Sequence, residues 1–237
     1  MKQIHLEYQD QSTTFEATVV HDDSKPGAKP AICIFHAWNG KDGFAQTKAL
    51  QIAEMGYVGC ALDMYGKGRY GTTTEECSSL MSPLLANRSL LQKRALAGYH
   101  KVSSLPFVDP SQIGAIGFCF GGLCALDLAR TGIDLKGTVS FHGLLSAPTQ
   151  GISSIKSKIL ALHGHDDPMV SPQDVLLFEE EMTKAKADWQ MHVYGATMHG
   201  FTNPQANDPG LGTLYSQRAD HRAWMAMQTF FSEIFSL

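Results

Sequence analysis

Gly114-Ala115-Ile116-Gly117-Phe118-Cys119-Phe120-Gly121-Gly122-Leu123-Cys124-Ala125-Leu126 passes from an apolar run of strand type, through a glycine-bounded turn, into a helical pattern. A turn of this kind holds residue 119 at a strained backbone angle, and small residues on either side let strand and helix pass closely. The cysteine sulfur is then raised above a sheet, over a helix N-terminus that favours a thiolate and offers N–H donors to an oxyanion. A buried, inert cysteine in a glycine-rich turn is the bland reading of the same residues. The glycines at 114, 117, 121 and 122 do not form the Gly-x-Gly-x-x-Gly of a dinucleotide site.

Working outward, apolar strands alternate with helical stretches. Ile4–Tyr8 and Thr14–Val20 read as two strands joined by a polar turn, and His21 to Lys29 as a second turn. Ala31–Phe35 is a continuous apolar run, as in a strand buried on both faces. Helical spacing over Phe44–Met55, ending at Gly56, precedes a strand at Tyr57–Leu62. Pro83–Ser104 predicts one long helix, followed by a strand at Ile113–Phe118 and a helix at Phe120–Arg130 that stops near Gly132. Strands at Leu135–Phe141, Ile159–His163 and Trp189–Tyr194, with helices at Ser171–Ala185 and Gln217–Phe235, complete the pattern. The alternation predicts an α/β fold of one domain over residues 1–237. It has a mostly parallel sheet, helices on both faces and an antiparallel N-terminal strand pair.

Ligands of such sheets bind beyond the carboxyl ends of the strands. There the sequence places His36, Asp63, Cys119, His142, His163 to Asp167 and the loop carrying His199, which is five of the ten histidines on one predicted edge. A nucleophile at 119, carboxylates at 166 and 167 and a base at 199 follow one another in the chain order nucleophile, acid, base. His199 would take the thiol proton, a carboxylate would fix its tautomer, and Cys119 would attack a carbonyl carbon. Alone, His199 reads as a structural histidine and the aspartates before Pro168 as turn residues. Spacing does not choose between Asp166 and Asp167.

Composition narrows the partners. Apolar residues make up 43% and charged residues 18% of the 237, with a formal net charge of −4 and no basic run, so no footprint for nucleic acid or an acidic membrane is present. Met1–Glu7 turns polar at once, and no segment reaches the ~20 apolar residues of a membrane span. Five scattered cysteines, with no Cys-x-x-Cys pair, fit a reducing cytoplasm better than a disulfide framework or a zinc site. The expected partner is a small molecule and the expected state a monomer or small homo-oligomer.

These residues resemble the dienelactone hydrolase family of α/β-hydrolases over nearly the whole chain. The likeness runs through His36-Ala37-Trp38-Asn39-Gly40, Ala61-Leu62-Asp63-Met64-Tyr65-Gly66, Gly117–Gly122, Gly164-His165-Asp166-Asp167-Pro168-Met169-Val170 and His199-Gly200-Phe201. The resemblance implies hydrolysis of a carboxylic ester or lactone without a cofactor or metal. It also implies Asp167 as the acid, three residues after Gly164 and three before Val170, and an oxyanion hole from the backbone N–H groups of Trp38 and Phe120. His36 is expected to shape the oxyanion loop through hydrogen bonds, and His142 to line the pocket. Two positions depart from the family: Ala37 stands where a glutamate assists thiolate formation, and Asn203 where an arginine grips a substrate carboxylate. Both belong to the expected substrate pocket; Ala37 bears on how the thiol is activated, and Asn203 makes a neutral or differently substituted ester as good an expectation as a carboxylated lactone. A carboxylated one would need another cation, with Lys67, Arg69 and Arg88 as candidates. Tyr65, Lys67 and Arg69 lie in a glycine-rich loop that either covers the site or is a solvated turn.

Two other readings compete. His163-Gly164-His165-Asp166-Asp167 has metal-ligand residue types but lacks a further histidine at Pro168. A non-catalytic binding protein of the same fold would explain Ala37 and Asn203 but not the three candidate catalytic residues.

Overall fold

The computed structural model describes residues 1–149 and 154–235. Eight strands form a sheet in the order β1-β2-β4-β3-β5-β6-β7-β8. They are β1 Lys2–Asp10, β2 Thr13–His21, β3 Lys29–Phe35, β4 Val58–Leu62, β5 Val108–Phe118, β6 Gly137–Phe141, β7 Lys158–Gly164 and β8 Trp189–Tyr194. Two short strands, β9 Asn207–Asp208 and β10 Thr213–Leu214, pair with each other. The helices are α1 Gly43–Glu54, α2 Thr74–Ala86, α3 Arg88–Ser103, α4 Phe120–Arg130, α5 Pro172–Lys184 and α6 Gln217–Ile234. The chain divides into two compact units, residues 1–116 and 117–237.

In the first unit, β1 and β2 form the expected antiparallel pair, from Lys2↔His21 to Asp10↔Thr13. β2 runs antiparallel to β4, and β3 parallel to β4. Every residue of β4 is buried, as are Ala31 to Phe35 of β3, which is why both read as unbroken apolar runs. α1 starts at Asp42, whose carboxylate accepts the Ala45 N–H at 3.1 Å. Its Ala49 lies so close to β4 that a Cβ on Gly59 would stand 2.1 Å from the Ala49 carbonyl oxygen.

The single helix expected over Pro83–Ser104 is two helices. A capping box at Thr73 and Glu76 starts α2 nine residues before Pro83, and the proline sits inside the helix at the loss of one ladder bond. Asn87 ends α2 and begins α3, donating its N–H to Pro83 O and accepting Leu90 N–H on its side chain. α3 buries Leu91, Ala95, Gly98, Tyr99 and Val102, a single stripe at helical spacing.

In the second unit, β6, β7 and β8 are parallel, from Gly137↔Lys158 and Ile159↔Trp189 onward. α4 is buried throughout, whereas α6 buries only Ala219, Ala223, Met227, Phe230 and Phe231. Pro172 opens α5 behind a Ser171–Asp174 capping box, the placement its missing N–H tolerates. Arg130, at the end of α4, is fully buried. It donates to both Glu181 carboxylate oxygens (2.7 and 2.6 Å), to Asp127 (3.1 Å) and to the carbonyls of Leu145 and Ser146. The guanidinium thus ties α4 to α5 and to the segment after β6. Removing one partner of such a pair costs about 3–5 kcal/mol. Among the described residues, no helix is long and apolar enough to cross a membrane.

Candidate active site

Cys119 lies between β5 and α4 with φ 57° and ψ −120°, a left-handed conformation that a residue with a side chain adopts at a cost of about 1–3 kcal/mol. Its neighbours leave little alternative. A Cβ on Gly117 would stand 1.9 Å from Gly121 O, and one on Gly122 2.5 Å from Ser140 Oγ. The Cys119 N–H donates to Phe141 O at 3.1 Å, which fixes the turn against β6. Cys119 is partly exposed, whereas Cys33, Cys60, Cys77 and Cys124 are buried. Burial pushes the Cys33 thiol up to about 12 and raises Cys60 and Cys77 as well.

The two adjacent aspartates separate cleanly. Asp167 is buried, with Oδ2 at 2.7 Å from His199 Nδ1 and Oδ1 accepting the Met169 N–H at 2.8 Å. Asp166 is exposed, and its backbone N–H donates to Thr197 O. His199 is 3% exposed. Burial opposes its protonation, but the charge on Cys119 and the hydrogen bond to Asp167 prevail and raise its pKa to about 10. Its Nε2 makes no hydrogen bond of complete geometry, although the Cys119 sulfur acts on the ring by charge and by a looser hydrogen bond. Such bonds tighten when a substrate is engaged.

A short hairpin that the sequence reading missed holds this arrangement. His199 donates its N–H to Gly212 O and accepts Leu214 N–H on its carbonyl, bridging alongside Thr213 at the edge of β10. Gly212 has φ 77°, and a Cβ there would stand 2.0 Å from Pro168 Cγ, beside the Asp167 turn. Gly212 therefore packs between the Asp167 turn and His199, and the Gly210-Leu211-Gly212 turn was its sequence signal. Gly212→Ala is expected to cost about 1–3 kcal/mol and to lower kcat more than it raises KM. Thermal melting and steady-state kinetics on one ester check both; unchanged kcat in a folded variant would remove Gly212 from this role.

The remaining candidates fall into two groups. In the second unit, His142 takes φ 40°, bonds Thr202 Oγ1 through Nε2 at 2.8 Å and meets the His199 ring edge-on at 5.1 Å. Phe120 is buried at the start of α4. Asn203 uses its side-chain oxygen locally, accepting Gln205 N–H at 3.0 Å within a turn. His163, at the end of β7, is buried and its pKa is lowered by desolvation, with Asp167 opposing. In the first unit, the Met64 N–H donates to His36 Nε2 at 3.1 Å, so Nδ1 carries the proton and donates to Ala37 O at 2.6 Å. Burial lowers the His36 pKa, consistent with a neutral ring. Trp38 is half-buried and accepts the Tyr65 hydroxyl on its carbonyl at 2.8 Å. Among the described residues, no three His, Cys, Asp or Glu side chains converge as metal ligands. His163 is buried while His165 and Asp166 are exposed.

A mostly parallel sheet with a strained elbow at a strand-to-helix turn defines an α/β-hydrolase. Residues 15–235 match the family model described as the dienelactone hydrolase family, and the chain belongs to that family. A solved dienelactone hydrolase-like promiscuous phosphotriesterase from metagenomic libraries is 33% identical with a TM-score of 0.94, over 99% of this chain and 98% of that one. An uncharacterized Caenorhabditis elegans protein is 38% identical over 151 residues, 62% of this chain and 95% of its own length. A carboxymethylenebutenolidase homolog of Xenopus tropicalis is 30% identical over 98 residues, 41% of this chain and 39% of its own. The protein is an ester-acting hydrolase of the carboxymethylenebutenolidase-like kind.

Proposed function

We propose that the protein cleaves a small, neutral carboxylic ester or lactone with Cys119 as nucleophile, His199 as acid and base, and Asp167 as the orienting carboxylate. The observation that carries this reading is the 2.7 Å His199–Asp167 hydrogen bond with the strained Cys119 acting on the same imidazole. The sulfur attacks the carbonyl carbon, and the carbonyl oxygen becomes an oxyanion. The Phe120 N–H, at the first position of α4, is outside the helical ladder and suits that charge. Collapse expels an alkoxide that takes the imidazolium proton, leaving a thioester on Cys119. His199 then accepts a proton from water, which attacks the thioester and releases the acid. Trp38 as a second donor rests on the family resemblance. Ala37 supplies no carboxylate to activate the thiol, so His199 is the group that accepts its proton. Asn203 supplies no cation, so a substrate carboxylate placed there would keep its desolvation cost.

A neutral phosphotriester is a second substrate reading, favoured by the activity named for the 33% identical solved relative. Iodoacetamide is expected to label Cys119 before the four buried cysteines, with ester and phosphotriester hydrolysis falling in step and Cys119→Ala lacking both. Labelling is read by peptide mass spectrometry. Hydrolysis that survives complete labelling of Cys119 sinks the reading.

A further inference from the structure

Strand β8 is the outermost strand of its sheet, with only β7 beside it among the described residues. Two bonds fix the direction of its backbone groups. Ile159 N–H donates to Asp188 O and His165 N–H to Tyr194 O, so every second residue from 188 to 194 turns its N–H and C=O toward β7. Trp189, Met191 and Val193 therefore turn theirs outward. A row of outward donors and acceptors is a template for another strand.

Native sheets protect an outer strand with charge, proline or a bulge. β1, the outer strand on the other side, carries Lys2, Glu7 and Asp10, and Lys67 pairs with Glu7. β8 has no such protection. Trp189-Gln190-Met191-His192-Val193-Tyr194 contains no lysine, arginine, carboxylate or proline, and its register with β7 runs unbroken from Ile159↔Trp189 to Gly164↔Tyr194. Val193 is 51% exposed, and Leu176 of α5, which shares a groove with Trp189, is 46% exposed. Single exposed apolar side chains are ordinary. An uncharged, unbroken outer strand is not.

The strand is also complementary to itself. A two-fold axis through Met191 sets Met191 opposite Met191 of a second copy, Trp189 opposite its Val193 and Gln190 opposite its His192. Outward residues then face outward residues, and each such pair exchanges both of its N–H···O bonds. Trp189 meets Phe178 of α5 edge-on at 6.4 Å, so Met191 and Val193 lie on the α5 side with it. On that side an aromatic–β-branched pair forms twice and covers Val193; on the other, uncharged polar side chains meet. No like charges face each other. A two-fold centred on Gln190 or His192 pairs only two of the three outward residues within the strand.

We propose that β8 is the docking edge for a second copy of this chain, giving a two-fold dimer in which the two β8 strands pair antiparallel about Met191. Backbone bonds alone would accept an extended segment of any protein. The symmetry of the side-chain pairs selects a second copy.

Sedimentation velocity of the intact protein across the micromolar range tests this. A concentration-dependent species of twice the mass of one chain is expected. Met191→Lys sets two ammonium groups opposite each other at the axis, and Val193→Pro removes an outward N–H that the β7 ladder does not use. Each is expected to weaken the dimer at least about tenfold and to keep a cooperative melting transition. Gln9→Lys, which adds the same charge on β1, is expected to leave the dimer unchanged. Hydrogen exchange gives a reading without any variant: the Trp189, Met191 and Val193 amides should slow as the protein is concentrated, and those of β1 should not. A wild type that stays monomeric throughout overturns the proposal and leaves the edge to a strand of another protein. A dimer that survives both β8 variants, that Gln9→Lys weakens as much, or that forms without slowing those three amides overturns it as well.

Discussion

Asp167→Asn is expected to lower kcat/KM by on the order of 10⁴, whereas Asp166→Asn stays within about twofold of wild type. The two residues are adjacent and chemically identical, so the contrast isolates position. Asp167 Oδ2 receives the His199 Nδ1 proton at 2.7 Å, and Oδ1 is held by the Met169 N–H, which leaves the carboxylate one orientation. An amide that turns its NH₂ toward Nδ1 leaves the ring proton on Nε2, facing Cys119, and His199 can no longer take the thiol proton. Asp166 is exposed and contributes a backbone bond that the substitution preserves. Steady-state kinetics on a neutral ester decide it. Equal losses in the two variants would show that the acid has been misassigned.

His199→Ala is expected to be at least as damaging, on the order of 10⁴ or more in kcat, because in the proposed mechanism it removes the acid, the base and the counter-charge of the sulfur together. The wild-type pH profile carries the same information with a definite sign. The His199 pKa is raised to about 10, so its protonated, donating form persists through neutral pH and is lost as pH climbs through that value. The alkaline limb of kcat/KM should therefore fall near pH 10, well above the ~6.5 of a free imidazole. Asp167→Asn removes one of the causes that raise the value, so its limb should move toward lower pH. A profile that rises through pH 7 with the pKa of an ordinary histidine and then stays flat would mean that neutral His199 is the working form, and the ion-pair account would fail.

Local chemistry explains which parts of this molecule could be read in advance. The elbow was legible because Gly117, Cys119 and Gly122 impose their geometry on immediate neighbours. Strands β3 and β4 were legible because burial on both faces leaves an unbroken apolar run. α2 escaped because Thr72-Thr73-Thr74-Glu75-Glu76 looks like a polar loop and Pro83 like a helix start, although the Thr73–Glu76 capping box was present in the letters. The β9–β10 hairpin has only two residues in each strand, and its placement depends on the bridge between His199 and Thr213. No local signal joins Arg130 to Glu181, 51 residues further on. Asp166 and Asp167 are equivalent by spacing; the family resemblance points to Asp167, and the structure separates the two by burial and by the Asp167 hydrogen bond to His199.

The left-handed backbone at Cys119 also bears on how such chains change over generations. The conformation is costly for any residue with a side chain and nearly free for glycine, so the fold itself pulls position 119 toward glycine. Under the proposed function, the attack by the sulfur is what opposes that drift. A descendant that stopped relying on the sulfur would gain thermal tolerance from the first glycine substitution and keep Gly117 and Gly122, which close packing continues to require. Position 119 is thus where abandonment of the proposed chemistry would leave its earliest mark in a lineage, ahead of any change in the surrounding scaffold.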